Sequence, residues 1–408
     1  MSDFQSGSSL QQLVAEIKSP SLASDFSERP DSSEYCVARA SLNDAANDLL
    51  LLVNGPRAHF RSLFCYHHDL AAFQIAFDHD FFNKVPLQGA ISAAQLAQRV
   101  NFDQDRVERI IRFLSTHRVF TETERGTFMH TPYSAIFAKD PEIFAAAHYQ
   151  LDEFFKAAAE ASEATRSFPY QSDHLHSAFT KRFGVPLFQY YSQNPPLAAR
   201  FGRALKGVAK LDRQVHELKD GYAWENFRGG KIVDIGGASG HASIWLARIY
   251  PHLEFIVQDG SDNLLAQGKA QNLDDLDGRV QFMSHDFFDP QPDLDAGAYF
   301  IRQVVHNWND ADCIRILRNI VPALKKCGTG TPLLINEMVL PESGEKSRYE
   351  EHMMRQVDML VMVSLGSKQR TLRDFQLLLH EADSRLQIVR VYGEGSMALL
   401  EVHLVEEE

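Results

Sequence analysis

Along the C-terminal half of this 408-residue chain, short apolar runs alternate with amphipathic stretches. Lys231–Gly240 (KIVDIGGASG) opens the series, with Ile232, Val233 and Ile235 as the apolar run of a buried parallel strand. His241–Tyr250 follows as a helix, offering Ile244, Ala247 and Ile249 for packing. Glu254–Asp259, Val280–Asp286, Ala298–His306 and Pro332–Leu340 read as further strands. Between the last two, Asp310–Lys325 carries Ile314, Leu317, Ile320, Val321 and Leu324 on one helical face. A helix at about Arg373–Glu381 precedes two last strands, Leu386–Tyr392 and Met397–Leu404. Only Gly393–Ser396 joins that pair, too little chain for a parallel crossover, so the two must run antiparallel.

The N-terminal half has a different texture. Residues 1–35 are rich in Ser, Asp and Pro and read as a loose arm with one short helix. Residues 36–165 read as a mainly helical domain. Asn43–Leu52 and His68–Phe82 are helical, and Ser92–Val100 is a helix with Ser92 as its cap. Asp103–Phe120 holds another, with Val107, Ile110, Ile111 and Leu114 inward, and Thr121–His130 is a hairpin turning at Gly126. Two helices and a hairpin make a winged-helix pattern. Residues 166–408 form the second domain, beginning with a helical linker to about residue 225. Glu142–Ala164 reads as one helix, Phe168–Tyr191 is crowded with aromatics for core packing or a cavity wall, and Pro195–Ala209 is helical.

A winged helix raises DNA binding. Ile91–His130 holds six Arg against five Asp plus Glu, and the whole chain has a net charge of −13. Phosphate neutralisation needs a larger surplus of cations, so no nucleic-acid partner is expected. Cys36, Cys65, Cys313 and Cys327 form no CxxC pair or metal spacing, and no carboxylate cluster suggests a metal. Free thiols, the absence of a basic-then-apolar leader, and apolar runs too short to span a bilayer lead to the expectation of a cytoplasmic protein without membrane contact.

The chemistry concentrates where the strands end. Gly236, Gly237 and Gly240 allow a sharp turn before a helix whose free N–H groups face a ligand. An acid closing the next strand, Asp259, suits the two hydroxyls of a ribose. That much is shared by NAD enzymes and methyltransferases. The closing antiparallel hairpin distinguishes them, because a mostly parallel Rossmann-like α/β sheet ending in such a hairpin is the class I methyltransferase pattern. His306 follows an apolar run and should emerge at the carboxyl edge of the sheet, where a histidine can serve as general base. Glu337, near the end of the next strand, could orient its ring.

The segments VDIGGASG, SHDFF, HNWND, LLINEMVLPE and SKQRT occur in an order and spacing that resemble the plant and fungal small-molecule O-methyltransferases, the caffeic acid O-methyltransferase type. The resemblance is strong over Asp173–Leu404. It implies a homodimer, with the N-terminal winged-helix domain dimerising and roofing the partner's pocket. It also implies S-adenosylmethionine as cofactor and a phenolic or enolic hydroxyl on an aromatic or polyketide-like small molecule as acceptor. On the matching positions His306 is the base and Glu337 its supporting acid. Asp234, Gly236, Gly237 and Gly240 cradle the methionine end, Asp259 the ribose, Asp286 and Phe287 the adenine, and Arg302 lies near the cofactor.

Departures from the family pattern are equally specific. Gln369 stands where a second supporting acid is usual, and an amide cannot stabilise an imidazolium by charge. Asn307 follows the base in place of an acid, and Leu205 and Ala209 replace a Met and a small hydroxyl residue. Some fungal relatives keep the cofactor yet catalyse dehydration and pericyclic rearrangement. In such a protein His130, Arg302 and Gln303 would hold the substrate.

Overall fold

The computed structural model describes residues 33–211, 218–219, 221–227, 230–328, 330–393 and 397–406. Most of the expected arm, and all of the final hairpin's turn but Gly393, lie outside the described residues. The chain divides into two compact units, one from the described part of Met1–Tyr66 with Phe81–Ile136, the other from His67–Asp80 with Phe137–Glu408.

One helix covers Asn43–Leu52 and continues, since Ser33–Asp78 is helical throughout apart from a kink at Gly55, and the first unit takes it as far as Tyr66. Gly55 takes φ 65° immediately before Pro56, a pairing that breaks the helical path without strain. Ser92 caps the helix Ala93–Val100 reciprocally with Gln95, and Asp103 caps Gln104–Thr116. Strands β1 (Ile91–Ser92), β2 (Phe120–Glu124) and β3 (Thr127–His130) form a small antiparallel sheet in the order β1-β3-β2. Leu96, Val107, Ile111, Leu114, Phe120 and Phe128 are buried beneath it.

The second unit starts with helical linker segments. The single helix expected over Glu142–Ala164 is instead Pro141–Tyr149, a π-turn over Gln150–Phe154, Phe155–Ala159 and Ala161–Ser167. Across the π-turn, consecutive Asp152 and Glu153 both reach the guanidinium of Arg200, at 2.6 and 2.7 Å. Arg200 lies on the helix Pro195–Leu211. Two adjacent acids meeting one cation is a register that regular α-geometry, with about 100° between neighbours, does not favour.

The main sheet contains β4 (Lys231–Ile235), β5 (Phe255–Asp259), β6 (Val280–Ser284), β7 (Ala296–Arg302), β8 (Leu333–Leu340), β9 (Arg370–Thr371), β10 (Leu386–Tyr392) and β11 (Met397–Leu404). Its order is β10-β11-β8-β7-β4-β5-β6, with β9 pairing β8 off that path. Strands β6, β5, β4, β7 and β8 are parallel, and β11 joins β8 and β10 antiparallel. This is the α/β class expected, closing hairpin included. The period of two divides the core. On β7, Tyr299 and Ile301 pack with Ile316, Leu317 and Ile320 of the helix Asp310–Cys327. Ala298 and Phe300 pack on the other face with Ile244 and Leu246 of His241–Ile249 and with Trp224.

Chain order reverses at β4, which leads to β5 and β6 on one side while β7 pairs on the other. Ligands of open α/β sheets bind at the carboxyl ends of strands beside such a reversal. Elements not foreseen include the helices Pro132–Lys139, Asp262–Lys269 and Arg348–Leu365 and the short strands β1 and β9.

Candidate functional site

Strand β7 stops sooner than its apolar run suggests. It ends at Arg302, and Gln303 takes φ 53°. His306 therefore sits on a 3-10 turn, Val305–Asn307, beyond the strand. Glu337 of β8 is 1% exposed and serves that turn with both oxygens. Oε1 accepts the Val305 amide at 2.8 Å and the His306 amide at 3.3 Å, while Oε2 lies 2.7 Å from His306 Nδ1. The bond to the carboxylate puts the ring's proton on Nδ1 and leaves Nε2 with its lone pair, the form a base needs. The imidazole is 19% exposed, so it is held from below and still open.

Asn307 Nδ2 bonds back to the Gln303 carbonyl at 3.1 Å, closing the turn on itself. Arg302 is 8% exposed and its guanidinium bonds to Asn336 Oδ1, while Asn336 Nδ2 reaches the Ala398 carbonyl at 2.9 Å. Arg302 is thus tied into the sheet through Asn336, a residue absent from the sequence reading. Gln369 is buried, and its backbone N–H is held by Asp358 Oδ1 at 2.8 Å.

At the reversal point, Gly236, Gly237 and Gly240 occupy the turn between β4 and the helix His241–Ile249. Their cause is partly internal. A Cβ on Gly237 would lie 2.5 Å from Asp234 Oδ2 and 2.9 Å from Val257 Cγ1, and one on Gly236 would lie 2.8 Å from Val304 Cγ2. Gly236 and Gly240 also take φ 71° and 73°. The inward side of the turn is therefore filled.

Asp259 ends β5 and accepts the Ala238 amide at 3.0 Å and the Ser261 amide at 2.8 Å. Burial raises its carboxyl, and those two amides oppose the rise. A carboxylate has about four acceptor positions, so two stay available to hydroxyl donors such as those of a ribose. Asp286 holds the Phe288 amide at 2.9 Å, and Phe287 meets Trp308 edge-on at 5.7 Å between ring centres. Phe287 also approaches the turn, with Cε1 3.5 Å from the position of a Gly236 Cβ. The donors and rings expected for a nucleoside cofactor are thus gathered at one sheet edge, and the set fits.

His130 belongs to the N-terminal unit and is 9% exposed. Its Nδ1 lies 2.8 Å from Ser134 Oγ, and Nε2 is 3.1 Å from each of the Phe82 and Val85 carbonyls. Two carbonyls require the proton on Nε2, so Nδ1 accepts from the serine hydroxyl. Both nitrogens are occupied within the unit, and in this conformation neither is offered to a ligand.

Comparison with known proteins now bears on this geometry. Residues 167–384 match the family model of the O-methyltransferase domain. The O-methyltransferase sol2 of Alternaria solani is 49% identical over 94% of this chain and 89% of its own. The O-methyltransferase aurJ of Gibberella zeae is 32% identical, covering 91% and 87%. Among solved structures, OxaC in complex with sinefungin and meleagrin aligns with a TM-score of 0.79 at 21% identity, over 98% of this chain and 100% of that one. A structure described as a pericyclic reaction enzyme aligns at 0.73 and 23% identity, over 98% and 99%. At such identities both structures speak for the fold alone.

Asp234 yields a pH prediction. Burial raises its carboxyl from 3.8 to about 6, against the Ser243 hydroxyl at 2.5 Å and the charge of Arg302. The folded-state value lies above the unfolded one, so the protonated acid favours folding. That stabilisation is complete below the unfolded pKa and is lost as pH rises through about 6. The swing is at most on the order of 3 kcal/mol. Asp234→Asn removes the ionisation, so its stability relative to the parent should rise between acid and neutral pH. Unfolding midpoints of both proteins across that range check it, and a constant difference would contradict it.

Proposed function

The chain belongs to the O-methyltransferase family, and we propose from that premise that His306, held by Glu337, is the general base that deprotonates the acceptor hydroxyl. The carrying observation is the pairing of a buried carboxylate with Nδ1 of a half-buried imidazole at the carboxyl edge of the sheet. S-adenosylmethionine, when bound, supplies a methyl group activated by positive sulfur. Asp234, Gly236, Gly237 and Gly240 would form the turn against its methionine end, and Asp259 would receive the ribose hydroxyls. Asp286 and Phe287 would serve the adenine, and Arg302 would lend positive charge nearby. Nε2 of His306 takes the acceptor's proton, and Glu337 stabilises the imidazolium that results.

The acceptor is a hydroxyl of an aromatic or polyketide-like secondary metabolite. The fungal relatives named as O-methyltransferases support this, as does the meleagrin held in the OxaC structure. The intact His306–Glu337 pair favours methyl transfer over a pericyclic step, which needs no proton removed from a hydroxyl. Among the described residues no helix is long and apolar enough to cross a membrane, and a cytoplasmic setting is the reading adopted.

The protein acts as a homodimer through its winged-helix-like N-terminal region. Leu50, Leu52, Val53 and Phe64 on the helix Ser33–Asp78 are 57%, 71%, 58% and 68% exposed, an apolar display that association would cover.

Three outcomes are expected. His306→Ala should lower S-adenosylhomocysteine formation by about 10²-fold, with cofactor affinity little changed, and Glu337→Gln should do so less strongly. Product formed by the parent enzyme without S-adenosylhomocysteine would instead establish the pericyclic reading. Asp259→Ala should weaken S-adenosylmethionine binding by roughly tenfold or more, since charge-assisted bonds are lost. Unchanged affinity in calorimetry would remove Asp259 from the site. Light scattering should give a dimeric mass that Leu52→Glu with Phe64→Glu reduces, and a monomeric parent would refute the dimer.

A further inference from the structure

Arg370 lies in the short strand β9 and is 1% exposed. It pairs in register with Val339 of β8, the strand that carries Glu337. All five of its N–H donors are engaged. Nε and Nη2 reach Asp310 Oδ1 at 3.0 and 2.7 Å. Nη1 donates to the Val305 carbonyl at 3.0 Å and to the Lys368 carbonyl at 3.4 Å, and Nη2 also donates to the Trp308 carbonyl at 2.9 Å.

These bonds hold carbonyls of the base-bearing turn, whose amides Glu337 holds. Val305 is held at its N–H by Glu337 and at its carbonyl by Arg370, and that carbonyl belongs to the peptide bond that leads into His306. Ser367 Oγ adds a bond to the Trp308 carbonyl at 2.8 Å, so both ends of the 305–308 segment are tied to the Ser367–Thr371 stretch. Glu337 fixes the ring, but a ring is aimed only as well as its backbone is fixed.

We propose that Arg370 is a positioning residue for methyl transfer, aiming His306 by clamping the Val305 and Trp308 carbonyls. The proposal rests on the reading of His306 as the base. Position is the means, since every N–H of the guanidinium is spent on Asp310 and on backbone carbonyls, and Asp310 is also bonded to Lys368 at 2.7 Å. A planar fork with five donors can serve three carbonyls and a carboxylate at once, and an ammonium with three cannot.

The test uses the full chain with S-adenosylhomocysteine bound and histidine labelled with ¹⁵N, His306 being assigned by its loss in His306→Gln. Arg370→Lys should broaden or shift the His306 Nδ1–H signal while S-adenosylhomocysteine affinity stays within about twofold of the parent. With a dihydroxynaphthalene as probe acceptor, kcat should fall by about tenfold or more with KM little changed, as for a base held off its line. Low concentrations of guanidinium should partly restore both signal and turnover in Arg370→Ala. If neither Arg370 variant folds, Ser367→Ala, which removes one of the Trp308 bonds, should move the same signal less far. An unchanged His306 signal in Arg370→Lys, or in Ser367→Ala should that variant stand alone, would overturn the proposal. So would a change matched by an equal loss of S-adenosylhomocysteine affinity, which marks general damage. Failure of the base reading shows separately, as full turnover in His306→Ala.

Discussion

A carboxylate inside a protein must be paired or it will not stay ionised, and Glu337 is the buried carboxylate around which this site is organised. It stands on β8 with almost no water, so its oxygens must find donors in the protein. Two backbone amides and one imidazole provide them. The requirement is mutual. The amides of Val305 and His306 belong to a 3-10 turn and need acceptors, and Glu337 accepts from both. One side chain therefore holds a turn, a ring orientation and a tautomer. Removing the imidazole would leave Glu337 with its two amides alone, and removing Glu337 would take the acceptor from both amides and from the ring, which is why neither can be considered alone.

The cofactor edge obeys a similar economy of acceptors. Asp259 joins the glycine turn to β5 through the Ala238 amide and starts the next helix through Ser261. It keeps acceptor capacity for a ligand while serving the fold. The glycines have a double cause as well. They are small because Asp234, Val257 and Val304 leave no space for a Cβ. Much of the turn's own N–H capacity is also spent inside the protein, Gly237 donating to the Gln258 carbonyl, Ala238 to Asp259 and Gly240 to the Gly237 carbonyl. Ligand approach and internal packing thus make the same demand on these positions.

The strands were legible because central parallel strands are apolar on both faces. Lys231–Ile235 and Leu333–Leu340 fall within a residue or two of the runs that announce them. His306 and Glu337 were legible as types in position and as an expected pair, but the two backbone amides that Glu337 also holds were not, since they depend on where β7 ends. The run Ala298–His306 concealed the end of β7. Val304 and Val305 continue the apolar pattern although Gln303 has already left the strand at φ 53°. Arg348–Leu365 was missed, although Ser347 caps it through the Glu350 amide, because its interleaved methionines and charges blur the apolar stripe. Arg370 was overlooked for a different reason. An arginine between a glutamine and a threonine reads as solvated, and only tertiary structure shows the carbonyls that draw it inside.

The same sheet edge could host either a methyl transfer or a rearrangement, so the fold cannot distinguish them. What distinguishes them is whether a proton must leave the acceptor. A hydroxyl is a poor nucleophile until deprotonated, whereas a pericyclic step redistributes electrons within one molecule. The neutral Gln369 bears on this. With no second carboxylate at that position, Glu337 is the one anion bonded to His306 among the described residues. It already engages Nδ1 at 2.7 Å, which a second acid could not improve without competing for the same proton. The departure at Gln369 is therefore compatible with the proposed role of His306 as base, in which Glu337 would carry the burden of stabilising the imidazolium.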